Sequence, residues 1–104
     1  MDSKNITIKI SATVKQIEPN AKVLLFGSHA RNEAVKGSDY DIMVIVPEDY
    51  DGYKRLDIMK IIRKELAKDL IDVDVIADTL SNFNSRKEWP GHIYKTIARE
   101  GVRI

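Results

Sequence analysis

Five consecutive apolar residues, Ile42-Met43-Val44-Ile45-Val46, stand between a cluster of acids and a proline. A run so short and so uniformly apolar suits a strand covered on both faces, and Pro47 ends it. Val23-Leu24-Leu25-Phe26 has the same character, and Ile71-Asp72-Val73-Asp74-Val75-Ile76-Ala77 alternates as a third strand does. Three strands, at 23–26, 40–46 and 71–77, therefore frame the chain.

Helical periodicity fills the intervals. Ile6, Ile10, Val14 and Ile17 share one face of a helix predicted over 3–18, with Asp2 or Ser3 placed to cap it and Pro19-Asn20 to end it. Leu56, Met59, Ile62, Leu66 and Leu70 recur at helical steps over 53–69, and Ile58 and Ile61, off that stripe, are expected to widen its buried face. Asp49-Tyr50-Asp51-Gly52 reads as the capping turn before it rather than as a calcium loop. Segment 29–35 reads as a short helix and 81–89 as irregular or weakly helical. A last helix over 92–100 would turn Ile93, Ile97 and Tyr94 inward, with Gly101 as its cap and Val102-Arg103-Ile104 as a short edge strand. The 104 residues suffice for one domain, 1–104, and hold no repeat or linker.

Two places combine structure with chemistry. Gly27-Ser28 follows the first strand at a tight turn, where backbone N–H groups are placed to meet an anion. The Ser28 hydroxyl and N–H would meet phosphate oxygens, and the planar fork of Arg31 can reach the same group. Asp39 and Asp41 open the second strand, where alternate side chains share a face about 6–7 Å apart. Two such carboxylates suit magnesium, which takes oxygen ligands and keeps water and phosphates in its shell. Asp72 and Asp74 repeat the device on the third strand, and either is placed to add a third ligand and to take a proton from an attacking group.

Charge supports this placement more than any broad electrostatic role. The net charge is +1, which gives no general attraction to nucleic acid or membrane. Yet residues 38–53 carry five acids and no base, and 69–78 carry four acids and no base. Two acidic stretches at strand ends would need cations to meet in the fold. With no cysteine, there is neither disulfide nor thiolate metal site. No apolar run is long enough to span a bilayer and no signal peptide opens the chain, so a cytoplasmic location is expected. His29 and His92 are too isolated for a zinc site. His29 is expected at the surface, and Trp89 and Tyr94 as packing residues.

Gly27-Ser28-x-Ala30-Arg31, six residues, then Ser38-Asp39-x-Asp41 resembles the signature of the minimal nucleotidyltransferases of the DNA polymerase β-like superfamily. Val73-Asp74-Val75-Ile76 is similar to that family's third-acid segment, and the tail from Phe83 through Arg86-Lys87, Pro90-Gly91, Ile93-Tyr94 and Ala98-Arg99-Glu100-Gly101 is similar to its tails. The resemblance spans roughly residues 20–104. It implies an α/β (α+β) fold with a mixed sheet of three to four strands flanked by helices. It also implies that Asp39, Asp41 and Asp74 are catalytic and hold two magnesium ions, Asp72 being at most an outer neighbour. Gly27, Ser28, Arg31 and Ser38 would then form the nucleotide-binding set, Arg31 in a structural or phosphate-binding role.

The implied reaction moves a nucleoside monophosphate, AMP from ATP, to an acceptor hydroxyl with release of pyrophosphate. Many similar proteins act as antitoxins that adenylylate a tyrosine of a HEPN-domain toxin, so such a partner is expected, with either a homo- or a hetero-oligomer open to the chain. A non-catalytic antitoxin covering its partner through Ile58, Ile61 or the last helix is the alternative reading. Modification of a small molecule such as an aminoglycoside, in a pocket between two copies, is the other. Free nucleic acid is an unlikely acceptor at this charge, and no membrane partner is expected.

Overall fold

The run 42–46 lies at the centre of the sheet. In the computed structural model, which describes residues 3–104, α1 (Ser3–Ile17) leads to β1 (Lys22–Phe26), α2 (Gly27–Ala30) and β2 (Tyr40–Val46). Then follow α3 (Gly52–Ala67), β3 (Val73–Thr79), α4 (Leu80–Arg86), α5 (Ile93–Glu100) and β4 (Val102–Arg103). The sheet runs β3-β2-β1-β4. β1 is antiparallel to β2 and β4, whereas β2 and β3 are parallel, the crossover between them being α3. The mixed sheet with helices against it agrees with the expected class. The capping role expected of Asp2 or Ser3 rests on residue 2 and the Ser3 side chain, outside the described residues.

Strand alternation splits the core in two. Val23, Leu25, Tyr40, Ile42, Val44, Val46, Val73, Val75 and Ala77 face α1 and α3, meeting Ile10, Val14, Ile58, Ile62 and Leu66. Phe26, Met43 and Ile45 face the other way, against Phe83 of α4 and Tyr94 and Ile97 of α5. Asp41, Asp74 and Asp78 alternate with the first set and so share this second face.

Asp78 fastens that layer. Fully buried, it accepts from the Tyr94 hydroxyl at 2.6 Å, Asn82 Nδ2 at 2.9 Å and the Thr79 N–H at 2.8 Å, with Arg55 at 3.3 Å and Arg86 at 3.7 Å. Burial alone would raise its carboxyl, but the bonds from Tyr94, Asn82 and Thr79 and the Arg55 charge outweigh it, and the group lies below the usual range.

Several sequence expectations shift. On α3 the buried positions are Ile58, Ile62 and Leu66, steps of four, while Leu56 is 56% exposed and Ile61 is also exposed. Leu70 lies beyond the helix at φ 58° and is 93% exposed, so the expected stripe was out of phase at its start and overran the helix at its end. On α5 Tyr94 and Ile97 are inward as expected, but Ile93 is exposed. Trp89 is likewise half exposed, edge-on to His92. β3 begins two residues later than expected, and 80–86 is a helix whose start is capped by the Thr79 hydroxyl. Asp51 caps α3 by accepting from the Lys54 N–H, the turn foreseen for 49–52. Gly101 caps α5 at φ −65°, an ordinary angle. A side chain is excluded there because its Cβ would stand 2.5 Å from the Ile97 carbonyl oxygen.

Candidate active site

The carboxylates gather where three strands end together. Phe26 of β1 pairs with Asp41, and Asp41 pairs with Asp74 across the parallel β2–β3 ladder. The chain turns at Gly27 with φ +75°, and a Cβ there would overlap Asp41 Oδ2 and come within 3.0 Å of its Cγ. Only glycine lets the turn lie against that carboxylate. Burial, then the charges of Asp74 and Asp39 and a side-chain hydrogen bond with Asp74, lift the Asp41 carboxyl above the ordinary range, with His29 acting the other way. Asp41 and Asp74 are thus in contact, while Asp39, one residue before β2, acts on Asp41 through its charge.

The sequence matches the family described as Nucleotidyltransferase domain over residues 8–104. The chain belongs to that family. This nucleotidyltransferase is also 29% identical over 80 residues, 77% of its length and 73% of the relative's, to MJ0604 of Methanocaldococcus jannaschii, whose name proposes a protein adenylyltransferase. Among solved structures, one assigned provisionally as a minimal nucleotidyltransferase aligns with TM-score 0.65 and 20% identity, over 100% of this chain and 97% of that one. A toxin–antitoxin structure with AMP-PNP aligns with TM-score 0.61 and 21% identity, over 98% of this chain and 72% of that one. At such identities these two likenesses establish the fold.

A divalent cation fits the donor set in part. Among the described residues no three His, Cys, Asp or Glu side chains converge as a ready-made cage. Yet Asp41 and Asp74 share a contact that only a proton or a cation can make favourable, and among the described residues none of Asp39, Asp41 and Asp74 joins an ion pair. Two or three carboxylate oxygens, completed by phosphate and water, match magnesium's usual shell better than an all-protein cage would.

The remaining members of the predicted set of this nucleotidyltransferase are placed as follows. The helix expected at 29–35 is one turn, Gly27–Ala30, because Asn32 takes a left-handed φ of 57°. Ser28 lies in that turn, its carbonyl accepting from the Glu33 N–H at 2.9 Å. Arg31 is clamped by Glu33 at 3.0 Å and Glu100 at 2.9 Å, and the same Glu100 oxygen accepts from the Gly27 N–H at 3.3 Å. Of its two expected roles, these contacts serve the structural one. The Ser38 hydroxyl accepts from the Val35 N–H at 3.1 Å, closing the loop before Asp39. The Asp72 carbonyl accepts from the Tyr40 N–H, extending the ladder, and Asp72 borders a cleft of about 390 Å³ with His29, Ser38 and Tyr40.

His29 is not the surface histidine expected. It is half-buried, stacked on Tyr40 at 3.6 Å and 10°, with Nε2 3.0 Å from the Ser38 carbonyl oxygen. Neither this role nor that of Glu100 carries a signal in local spacing, because their partners lie 9 and 69 to 73 residues away.

Proposed function

We propose that this nucleotidyltransferase transfers AMP from ATP to a protein hydroxyl, a tyrosine of a HEPN-type partner, and thereby acts as an antitoxin in the cytoplasm. The observation that carries this reading is the contact of Asp41 with Asp74 beside the Gly27 turn. In the reaction an acceptor oxygen bonds to the α-phosphorus, the bond to pyrophosphate breaks, and the acceptor proton passes to a carboxylate. Asp74, on the edge strand β3, is assigned that proton. Gly27 and Ser28 hold the leaving phosphates, and Asp39, Asp41 and Asp74 hold magnesium, which supplies charge neutralisation at the phosphates. The protein adenylyltransferase name of the archaeal relative and the AMP-PNP in a neighbouring toxin–antitoxin structure support the donor and the type of acceptor.

The test is mass spectrometry of the protein encoded next to this chain after incubation with the chain, ATP and magnesium. AMP-sized mass gains, lost with Asp39→Asn or EDTA, are expected. Tight binding without modification by any of the four nucleotides would overturn the reading. That result would favour neutralisation by covering, for which α3 offers exposed Tyr53, Leu56 and Ile61 beside a cleft of about 500 Å³. Ile58, 3% exposed, has no part in such a surface.

A further inference from the structure

Asp41 and Asp39 differ in how they are held. Asp41 sits inside a ladder, paired on one side with Phe26 and on the other with Asp74, so its position follows from sheet geometry. Asp39 precedes β2 and has no partner in either ladder. A ligand or proton-handling group must be held within roughly half an ångström to work, and a residue at a loop end needs some other restraint.

The two residues flanking Asp39 both meet one side chain. Ser38 brings its carbonyl oxygen to His29 Nε2, and Tyr40 lays its ring against the imidazole, nearly parallel. A carbonyl only accepts, so in this contact Nε2 carries a hydrogen and donates it. The Ser38 hydroxyl, by accepting from Val35, stiffens the same loop from within. His29 itself follows Ser28 directly and belongs to the single turn of α2. One imidazole therefore spans from the turn assigned to phosphate to the peptide that carries Asp39.

We propose that His29 is a positioning residue for Asp39, setting the carboxylate against the phosphate turn through its contacts with Ser38 and Tyr40. This rests on the nucleotidyl-transfer reading of the site. In this role the ring, hydrogen-bonded to the Ser38 carbonyl and stacked on Tyr40, acts through Asp39 rather than on the reacting atoms. Asp41 and Asp74 keep their places without it, because the ladder holds them, and the Gly27 turn keeps its tether to Glu100.

The experiment measures manganese binding to the nucleotide-free protein by electron paramagnetic resonance, together with kcat and KM for ATP in AMP transfer. His29→Ala is expected to weaken manganese binding and lower kcat, each by about 10–100-fold, as loss of an outer partner of a metal ligand does. KM for ATP should change by less than about threefold, since phosphate contacts are untouched. His29→Gln, whose amide nitrogen can replace the Nε2 donor, should recover much of both; His29→Phe, which keeps only the stack, should not. In the Asp39→Asn background His29→Ala should add nothing to the loss of manganese affinity, because the two act as one unit.

The proposal is overturned if the two losses in manganese affinity add, or if His29→Ala runs at the wild-type kcat. A fall that merely follows a lowered melting temperature, equal for His29→Gln and His29→Phe, also overturns it. If Asp39→Asn itself transfers AMP normally, the reading of the whole site fails, and this inference with it. If Asp39→Asn is inactive while His29→Ala is normal, only the inference fails.

Discussion

Gly27 carries two constraints that no other residue satisfies together, a left-handed backbone and a Cα in contact with a carboxylate. Gly27→Ala is therefore expected to cost about 1–3 kcal/mol from backbone strain alone. Because the new Cβ must displace Asp41, transfer should fall more than stability does. Thermal melting beside kcat measures the two, and an active, normally melting variant would contradict the packing described. Tyr94 presents the opposite case, a buried hydroxyl donating to the buried Asp78, with burial and then Asp78 pushing its own pKa up. Tyr94→Phe removes a hydrogen bond to a charged group and should cost about 1.5–3 kcal/mol in urea unfolding, with little effect on transfer. The glycine and the acid pair were readable in the sequence because strand flanks fix what a turn and an alternating pair can do. His29 and Glu100 were not, since each acts through contacts made only when remote segments meet.

Among the elements, α3 shows what periodicity does and does not decide. That a helix fills the gap between two parallel strands was evident from its apolar spacing. Its rotation was not, because Leu56 and Ile58 both belong to plausible stripes and only the surface of β2 and β3 selects between them. Steps of four through Ile58, Ile62 and Leu66 match that surface. Ile58→Ala is expected to destabilise by about 2–5 kcal/mol. Leu56→Ala should stay within about 0.5 kcal/mol, as exposed positions do. Chemical denaturation of the two variants side by side checks the phase, and equal losses would refute it. The shortened α2 has a similar lesson: residues 31–35 are compatible with a helix locally, yet Arg31 is drawn to Glu100 and the chain turns at Asn32.

For the whole molecule, Asp78 makes stability depend on acid. Its folded pKa lies below the ordinary carboxylate value of about 3.9, so its contribution is complete above that pH. The contribution is lost as pH falls further, through the folded value. The melting temperature should therefore drop on acidification below about pH 4. Asp78→Asn should lower stability at neutral pH by on the order of 2 kcal/mol and flatten that part of the acid limb. An unchanged acid limb would show that Asp78 is not the group responsible.

The ladder that places Asp41 also sets an order of events. Its contact with Gly27 depends on the antiparallel pairing of neighbours in the chain, whereas its contact with Asp74 waits for a parallel partner beyond α3. Parallel pairing across a helix is the slower, more distant closure. On the ribosome, the turn and the first acid pair can meet while β3 is still unmade, so the contact of Gly27 with Asp41 can form before that of Asp41 with Asp74.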